Sequence, residues 1–520
     1  MVKALKTIFI YLGVLLLAGV ATIIFCAGFL FFYRDGNIFG IQYVSSNQTL
    51  YARPDEDISD LKTIEINSDK FDVYVRVNSG VSKVMGKMKC KAYGYAKTSK
   101  AQIGFWLDYN ESTKVATFNS IQPSGWLNTN NSYIEIAIPQ NVASYGYDLI
   151  INGKKADIEI GGKYSYTIGT LTVNSTKGDV ALTNVNLTNA INANIGSGSL
   201  YIDNKCSTSG EIASSISLGS GVINYSKVDI SKFSFGVIDI KSIKNGKIGI
   251  IQANELITDG NIDGGGSIEV GAVKFVDFSS LDTNILINNI IGNGEGSSSR
   301  VNITGYGDIF INRAKCDLVI NGHNGNISLN LCTGVISVIT NQGDIKITDA
   351  LKLVSAVSSY GNINIEFSNS ALDYVVDSDS NDDKNRAVIA STKSGHIYVK
   401  GLQFGNISAT DNGRITLDYN RIVGDNIVSA KSGVVNIVVP SPSSSTPANK
   451  YAFNLQVSSE VVTDIKVGVV GSIGTTVDYA GSGTQSFTNI YNSASSTDNN
   501  LRVFSTTGKI KIRSMDLMGY

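Results

Sequence analysis

Two histidines, His323 and His396, are the whole imidazole complement of this 520-residue chain. A serine or cysteine nucleophile commonly needs an imidazole base beside it, and zinc needs His or Cys in sets at fixed spacing. His396 follows Gly395 directly and reads as an exposed turn residue. Asp179, Asp308 and Asp344 each follow a glycine in a recurring phrase. A stacked row of carboxylates could act as acid and base on a glycosidic bond. Aspartates after a turn glycine more often accept backbone N–H groups, and Asn or Lys fills the same slot elsewhere in the chain. The run Asp377-Ser-Asp-Ser-Asn-Asp-Asp383 opens like a calcium loop, but its sixth position is Asp382 and its twelfth is Val388. The loop glycine and the bidentate glutamate are therefore both missing, and a solvated acidic loop is expected.

Five cysteines, Cys26, Cys90, Cys206, Cys316 and Cys332, include no Cys-x-x-Cys pair. The spacing from Cys316 to Cys332 is close to one turn of a short repeat, which would let the two stack, as thiols or as a disulfide, but the plainer expectation is two small core residues. Tyr93, Tyr95, Phe105, Trp106, Tyr109, Trp126, Tyr145 and Tyr147 crowd one stretch. Exposed, such rings could stack on sugars or anchor a partner; buried, they would pack a β core. The expectation from these residues is no catalytic, cofactor-binding or metal-ligating set, and no cofactor.

The elements that would position these groups are β-strands. From residue 153 a phrase recurs: glycine, any residue, aliphatic, any residue, apolar. Gly307-Asp-Ile-Phe-Ile311, Gly325-Asn-Ile-Ser-Leu329, Gly343-Asp-Ile-Lys-Ile347 and Gly361-Asn-Ile-Asn-Ile365 are examples. The two apolar residues fall on one face of a short strand, and the glycine is read as a corner with φ above zero. Gly307, Gly325, Gly343 and Gly361 are each 18 apart, Gly395 to Gly413 is 18, and Gly413 to Gly433 is 20. Such register suits a solenoid in which equivalent side chains stack. The expected architecture is an all-β, right-handed parallel β-helix of 18–20-residue coils over 153–440, with Gly343 and Gly361 at equivalent corners.

Residues 60–152 alternate strictly in places, as in Leu61-Lys-Thr-Ile-Glu-Ile66, but carry fewer turn glycines and are expected to cap the helix or adjoin it. Residues 441–450 read as a loop, and 451–520 as terminal coils ending on the Gly508 phrase. At the other end, residues 7–33 contain no charge, more than the ~20 residues that a membrane span requires. A tail of residues 1–6 with Lys3 and Lys6 favours a cytoplasmic N-terminus, and a linker over 34–59 follows. A cleaved signal peptide is the other reading, but its apolar core is usually ~7–15 residues.

With an opening strand at Ile64-Glu-Ile66, a strand end at Ile138-Pro139 and repeated Gly-Asp/Asn-Ile phrases, the chain resembles the bacterial putative-adhesin family, a β-strand-repeat domain of unknown function. The resemblance spans about residues 60–515 and implies a surface β-repeat fold with no catalytic residues to carry over. Lys+Arg 43 against Asp+Glu 44 leaves no basic field for nucleic acid. The functional expectation is a single-pass, surface-exposed recognition or adhesion rod in the cell membrane, its bulk extracellular. Its partners would be the membrane, through the N-terminal helix, and a surface glycan or protein. A polysaccharide-active β-helix enzyme and a self-assembling scaffold are the alternatives.

Overall fold

A computed structural model describes residues 2–34, 37–38, 41–51, 61–95, 103–122, 127–128, 132–140, 146–294, 296–368, 387–442, 451–467, 477–491 and 497–514. One helix, Val2–Arg34, is followed by strands throughout. Its segment Phe9–Cys26 is long and apolar enough to cross a membrane. The strands fall in two compact units, Met1–Gly210 and Glu211–Tyr520.

In the second unit the strands pair in parallel with equivalent strands of the next coil, as expected for a parallel β-helix. Ile309 faces Ile327, Ile327 faces Ile345, and Ile345 faces Ile363, each at an offset of 18. On the second side Leu318, Ile336 and Val354 repeat at the same interval. A third side is one residue wide, bridging Ile290, Ala314 and Cys332. The inward residues Ile309, Ile327, Ile345, Ile363, Ile397 and Ile415 stack as one buried column. Each such side chain contributes about 2 kcal/mol on leaving water. Earlier coils vary in length: Glu211 pairs with Ser234 and Val222 with Lys247, offsets of 23 and 25, but Lys247 with Ser267 and Ser267 with Asn284, offsets of 20 and 17. The spacing settles at 18 only from Ile309 to Ile363.

At two phrase glycines of the first unit, Gly178 and Gly198, φ is 130°, as expected, but the corner glycines of the second unit have a different reason. None of Gly307, Gly325, Gly343, Gly361, Gly395, Gly413, Gly433 and Gly508 has a left-handed φ. Each of the last seven instead lies directly over the carbonyl of the glycine one coil before, where any Cβ would collide. Gly343 and Gly361 do occupy equivalent corners in this column. A hydroxyl three positions earlier accepts the glycine N–H: Ser358 Oγ for Gly361 at 2.8 Å, Thr392 Oγ1 for Gly395 at 2.9 Å, and Ser505 Oγ for Gly508 at 2.9 Å. These hydroxyls are buried, so the bond satisfies two polar groups at once.

Two coils of this unit are much longer than 18. Ile363 pairs with Ile397, an offset of 34, and Val435 pairs with Ile510, an offset of 75. In the second case the chain runs ahead to strand Phe453–Val467, folds back antiparallel as Val477–Ile490, and returns. Strands Asn500–Ser505 and Ile510–Ser514 then insert between the coil ending at Val439 and Phe453–Val467, pairing in parallel with both. The Gly508 coil is thus last in sequence but not outermost in space.

The first unit repeats the device. Strands Thr63–Ser68 and Asp72–Asn78 pair in parallel with Tyr147–Lys155 and Ile158–Lys177 on one flank, and with Val115–Ile121 and Tyr133–Pro139 on the other. Antiparallel strands Gly104–Asn110, Met85–Tyr95 and Ile41–Tyr51 lie beyond. Tyr147–Lys155 also pairs in parallel with Ile158–Lys177, one coil further on, so the boundary expected at residue 152 falls inside a strand.

Candidate functional site

The outward slot after each corner glycine forms a ladder rather than a catalytic row. The N–H of Asn326 donates to Asp308 Oδ1 at 2.8 Å, that of Asp344 to Asn326 Oδ1 at 3.1 Å, and that of Asn362 to Asp344 Oδ1 at 2.7 Å. In the first unit the Ser199 N–H donates to Asp179 Oδ1 at 2.8 Å. Each Asp or Asn closes the gap to the next coil. His396 ends this run: its N–H donates to Asn362 Oδ1 at 2.9 Å, and its ring Nε2 lies 3.0 Å from Thr416 Oγ1. It is half-buried rather than exposed, and burial, followed by the Arg414 charge, holds its pKa below the ordinary value. His323 is exposed at a different corner, where its carbonyl accepts the N–H groups of Asn341 and Gln342.

The cysteines are free thiols, four of them buried. Cys332 bridges Ala314, whereas Cys316 lies under Gly334, because their spacing falls two positions short of the coil and puts them out of register. The two therefore do not stack in register, and both are small buried core residues, the plainer reading of the pair. Desolvation pushes Cys90 and Cys206 up to about 11 and Cys332 up to about 12. Thiols so held are packing groups, not nucleophiles.

The aromatic cluster divides. Phe105 is buried and stacks on Phe118 at 6.2 Å, and Tyr147 is also buried. Trp106 is exposed, with Nε1 donating to Asp108 Oδ2 at 3.0 Å, and Tyr109 is half-buried. Tyr93 and Tyr95 belong to strand Met85–Tyr95; Trp126, Tyr145 and the run 377–383 lie outside the described residues. No group of three His, Cys, Asp or Glu side chains among the described residues could hold a metal ion.

What sequence reading missed is the contrast between the two broad sides of the second unit. On one side, strands Ile336–Thr340, Val354–Ser358, Ala387–Thr392, Phe404–Ala409 and Asp425–Ala430 present two outward columns. One reads Ser337, Ser355, Ile389, Asn406, Ile427; the other reads Ile339, Val357, Ser391, Ser408, Ser429. Neither contains a charge, and Ile339 and Ile389 are 50% and 45% exposed. The matching columns on the other side read Lys346, Asn364, Tyr398, Thr416, Asn436 and Glu366, Lys400, Asp418, Val438. There Lys400 stands in register between Glu366 and Asp418, and its charge acts against the desolvation that raises the Asp418 pKa. That pattern is a charge-compensated ladder. A parallel sheet face with two charge-free columns, its one charge on these strands being Asp425 at the last of them, and with aliphatic side chains open to solvent is the feature that requires an explanation.

The face ends in a groove of about 670 Å³ beside the hairpin Phe453–Val467/Val477–Ile490, where Ser429, Phe504, Ser458 and Thr484 follow one another in register. Phe504 is half-buried, and Arg502, on the same strand and the same face, pairs with Asp425 at 3.6 Å. A per-coil tally of outward residues could have found the charge-free face. The groove could not have been found that way, because it depends on the returning strand.

No curated protein matches the sequence. One solved structure that it resembles is described as a putative cell adhesion protein from Clostridium sporogenes ATCC 15579. It is 9% identical, with coverage of 91% of this chain and 100% of that one, and the TM-score is 0.14. A superposition that poor transfers nothing to this chain. Residues 61–384, more than half of the sequence, match the family model described as Toastrack DUF4097, and the chain belongs to the Toastrack DUF4097 family.

Proposed function

We propose that this protein is a membrane-anchored surface recognition module of adhesin type, without catalytic activity, that engages its partner through the uncharged face. The observation that carries this reading is the pair of columns from Ser337 to Ser429, which hold only Ser, Asn, Ile and Val while the chain at large is 17% charged. Exposed aliphatic area of this kind is a liability in a surface protein unless something covers it. The stacked coils also make the face rigid, so a partner binds without ordering loops. The helix Val2–Arg34 serves as a single-pass anchor, with Lys3 and Lys6 on the cytoplasmic side and the strands outside.

The full-length protein reconstituted in nanodiscs, and beads coated with it, test the reading on whole bacterial and host cells. Ile389→Lys and Ile427→Lys together place two charges on the face and are expected to reduce attachment at least ten-fold. Lys346→Ala, on the opposite side, is expected to leave it unchanged. Attachment equal to wild type in the double variant sinks the assignment of the face. Release of reducing ends or unsaturated sugars from a polysaccharide panel would overturn the non-catalytic reading. Protease protection of a tag placed before Lys3 in intact cells checks the orientation.

A further inference from the structure

We propose that the groove beside the C-terminal hairpin binds a short, neutral oligosaccharide; this rests on the recognition reading above and names a ligand class for the end of that face. Five strands meet there: Phe404–Ala409, Asp425–Ala430, Asn500–Ser505, Phe453–Val467 and Val477–Ile490. The space, about 670 Å³, lies within the ~300–1,000 Å³ typical of small-ligand sites. It exists because strands 500–505 and 453–467 are pressed together by the returning chain, and the hairpin supplies Gly483 and Thr484 as its far wall.

The lining argues for a sugar. Along the coil axis the chain presents Ser429, Phe504, Ser458 and Thr484 as consecutive in-register neighbours, a row of roughly 14 Å at ~4.8 Å per strand. Hydroxyls donate and accept equally, as sugar hydroxyls do, and Ser458 Oγ and Thr484 Oγ1 are already 2.9 Å apart, ready to share a bridging hydroxyl. Phe504 is the single aromatic in the lining and is half-buried, so an apolar ring lies between hydroxyls. That pairing suits a pyranose, whose C–H face is apolar and whose rim is polar. At the rim stand exposed Lys431 and Glu460. Lys431 is only loosely engaged, with Nζ 3.9 Å from Asp411 Oδ1. One positive and one negative charge give the groove no net field, which favours a neutral chain over an anionic one. A peptide would call for deep apolar side-chain pockets, and the lining offers one ring among hydroxyls.

The full chain in nanodiscs is titrated calorimetrically with neutral tetrasaccharides (cello-, xylo-, manno- and chito-series), with oligogalacturonate as the acidic comparison. Binding of at least one neutral series is expected. Phe504→Ala should weaken it ten-fold or more and Phe504→Tyr should retain it. Thr484→Lys, which fills the groove, should abolish it, and Lys346→Ala should have no effect. A Phe504→Ala chain that melts with wild type shows that its loss is local. No neutral binder, preference for the acidic chain, or affinity indifferent to both Phe504→Ala and Thr484→Lys overturns the proposal. If cell attachment still fails in the Ile389→Lys, Ile427→Lys variant, the recognition reading stands with a protein ligand, and only the oligosaccharide site is lost. If attachment is also unaffected by that variant, both readings fall.

Discussion

Gly343→Ala isolates the physics of the corner column. A Cβ on Gly343 would lie 2.6 Å from the carbonyl carbon of Gly325, and closer to its oxygen, where 3.4 Å is ordinary contact. The shortfall at the carbon alone is about 0.8 Å, and the oxygen is nearer still, so the two coils must part by more than that at this corner. The adjacent ladder bond from Ile327 N–H to Asp344 O, 2.8 Å in the native coil, would stretch beyond about 3.6 Å, past any useful length. Losing one or two such bonds costs about 1 kcal/mol each, and the overpacking itself about 1–3 kcal/mol. We expect about 2–5 kcal/mol in all, read by urea unfolding of the full chain in detergent and by loss of amide protection over residues 325–363. Gly249→Ala is the control: its Cβ would meet nothing nearer than 3.6 Å and its φ is not left-handed. There the stiffer unfolded chain should leave stability unchanged or slightly raised. If the two variants unfold within about 0.5 kcal/mol of each other, the scatter of ordinary surface substitutions, close coil stacking is not the reason for glycine and the column argument is refuted.

Asp344→Ala should cost about 1 kcal/mol, because the Asn362 N–H loses its acceptor, while Asp344→Asn should restore it; unfolding midpoints of the two decide. The His396 pKa is depressed in the fold, so the unfolded coil binds the extra proton. Its contribution is complete above the unfolded value near 6.5 and is lost as pH falls through it toward the folded value. Amide protection factors around Gly395–Val399 should fall between pH 7 and 5, and His396→Gln should flatten that slope. Cys90, Cys206 and Cys332 should resist iodoacetamide at pH 8 until the chain is unfolded, since thiols pushed to about 11–12 are almost wholly protonated there; mass spectrometry of rapid native labelling would contradict this. Removing the hairpin strands Phe453–Val467 and Val477–Ile490 with their flanks can return the offset of the Val435–Ile510 coil from 75 to the 20 seen at Ile415–Val435. The shortened protein should fold but expose a bare parallel edge at 500–514, and sedimentation should show concentration-dependent self-association.

The alternating Gly-x-Ile-x-Ile phrases made the solenoid and its stacked corners readable, because inward side chains must repeat wherever coils stack. The positive φ expected at the corner glycines holds at Gly178 and Gly198 and fails in the Gly307–Gly508 column, since the sequence records that a Cβ is forbidden but not whether φ or a neighbouring carbonyl forbids it. Cys316 and Cys332 mislead for a related reason: a spacing near one coil is not a spacing of one coil. The out-of-order strands at 63–78 and 500–514 left no local mark, because their partners lie far along the chain and are chosen by register across the whole unit. The groove inherits that invisibility, as its walls come from strands brought together only by the return of the chain.

In an ordinary solenoid the terminal coil has one bonded flank, and tension on the chain end unzips it one rung at a time. Here Asn500–Ser505 and Ile510–Ser514 are clasped on both flanks, by Asp425–Ala430 with Val435–Val439 on one and by Phe453–Val467 on the other. A pull on the chain after Ser514 must break two ladders of Ile510–Ser514 together before the load reaches Asn500–Ser505, which is held by two more. That clasp makes the coil at 500–514 a grip rather than a fraying point.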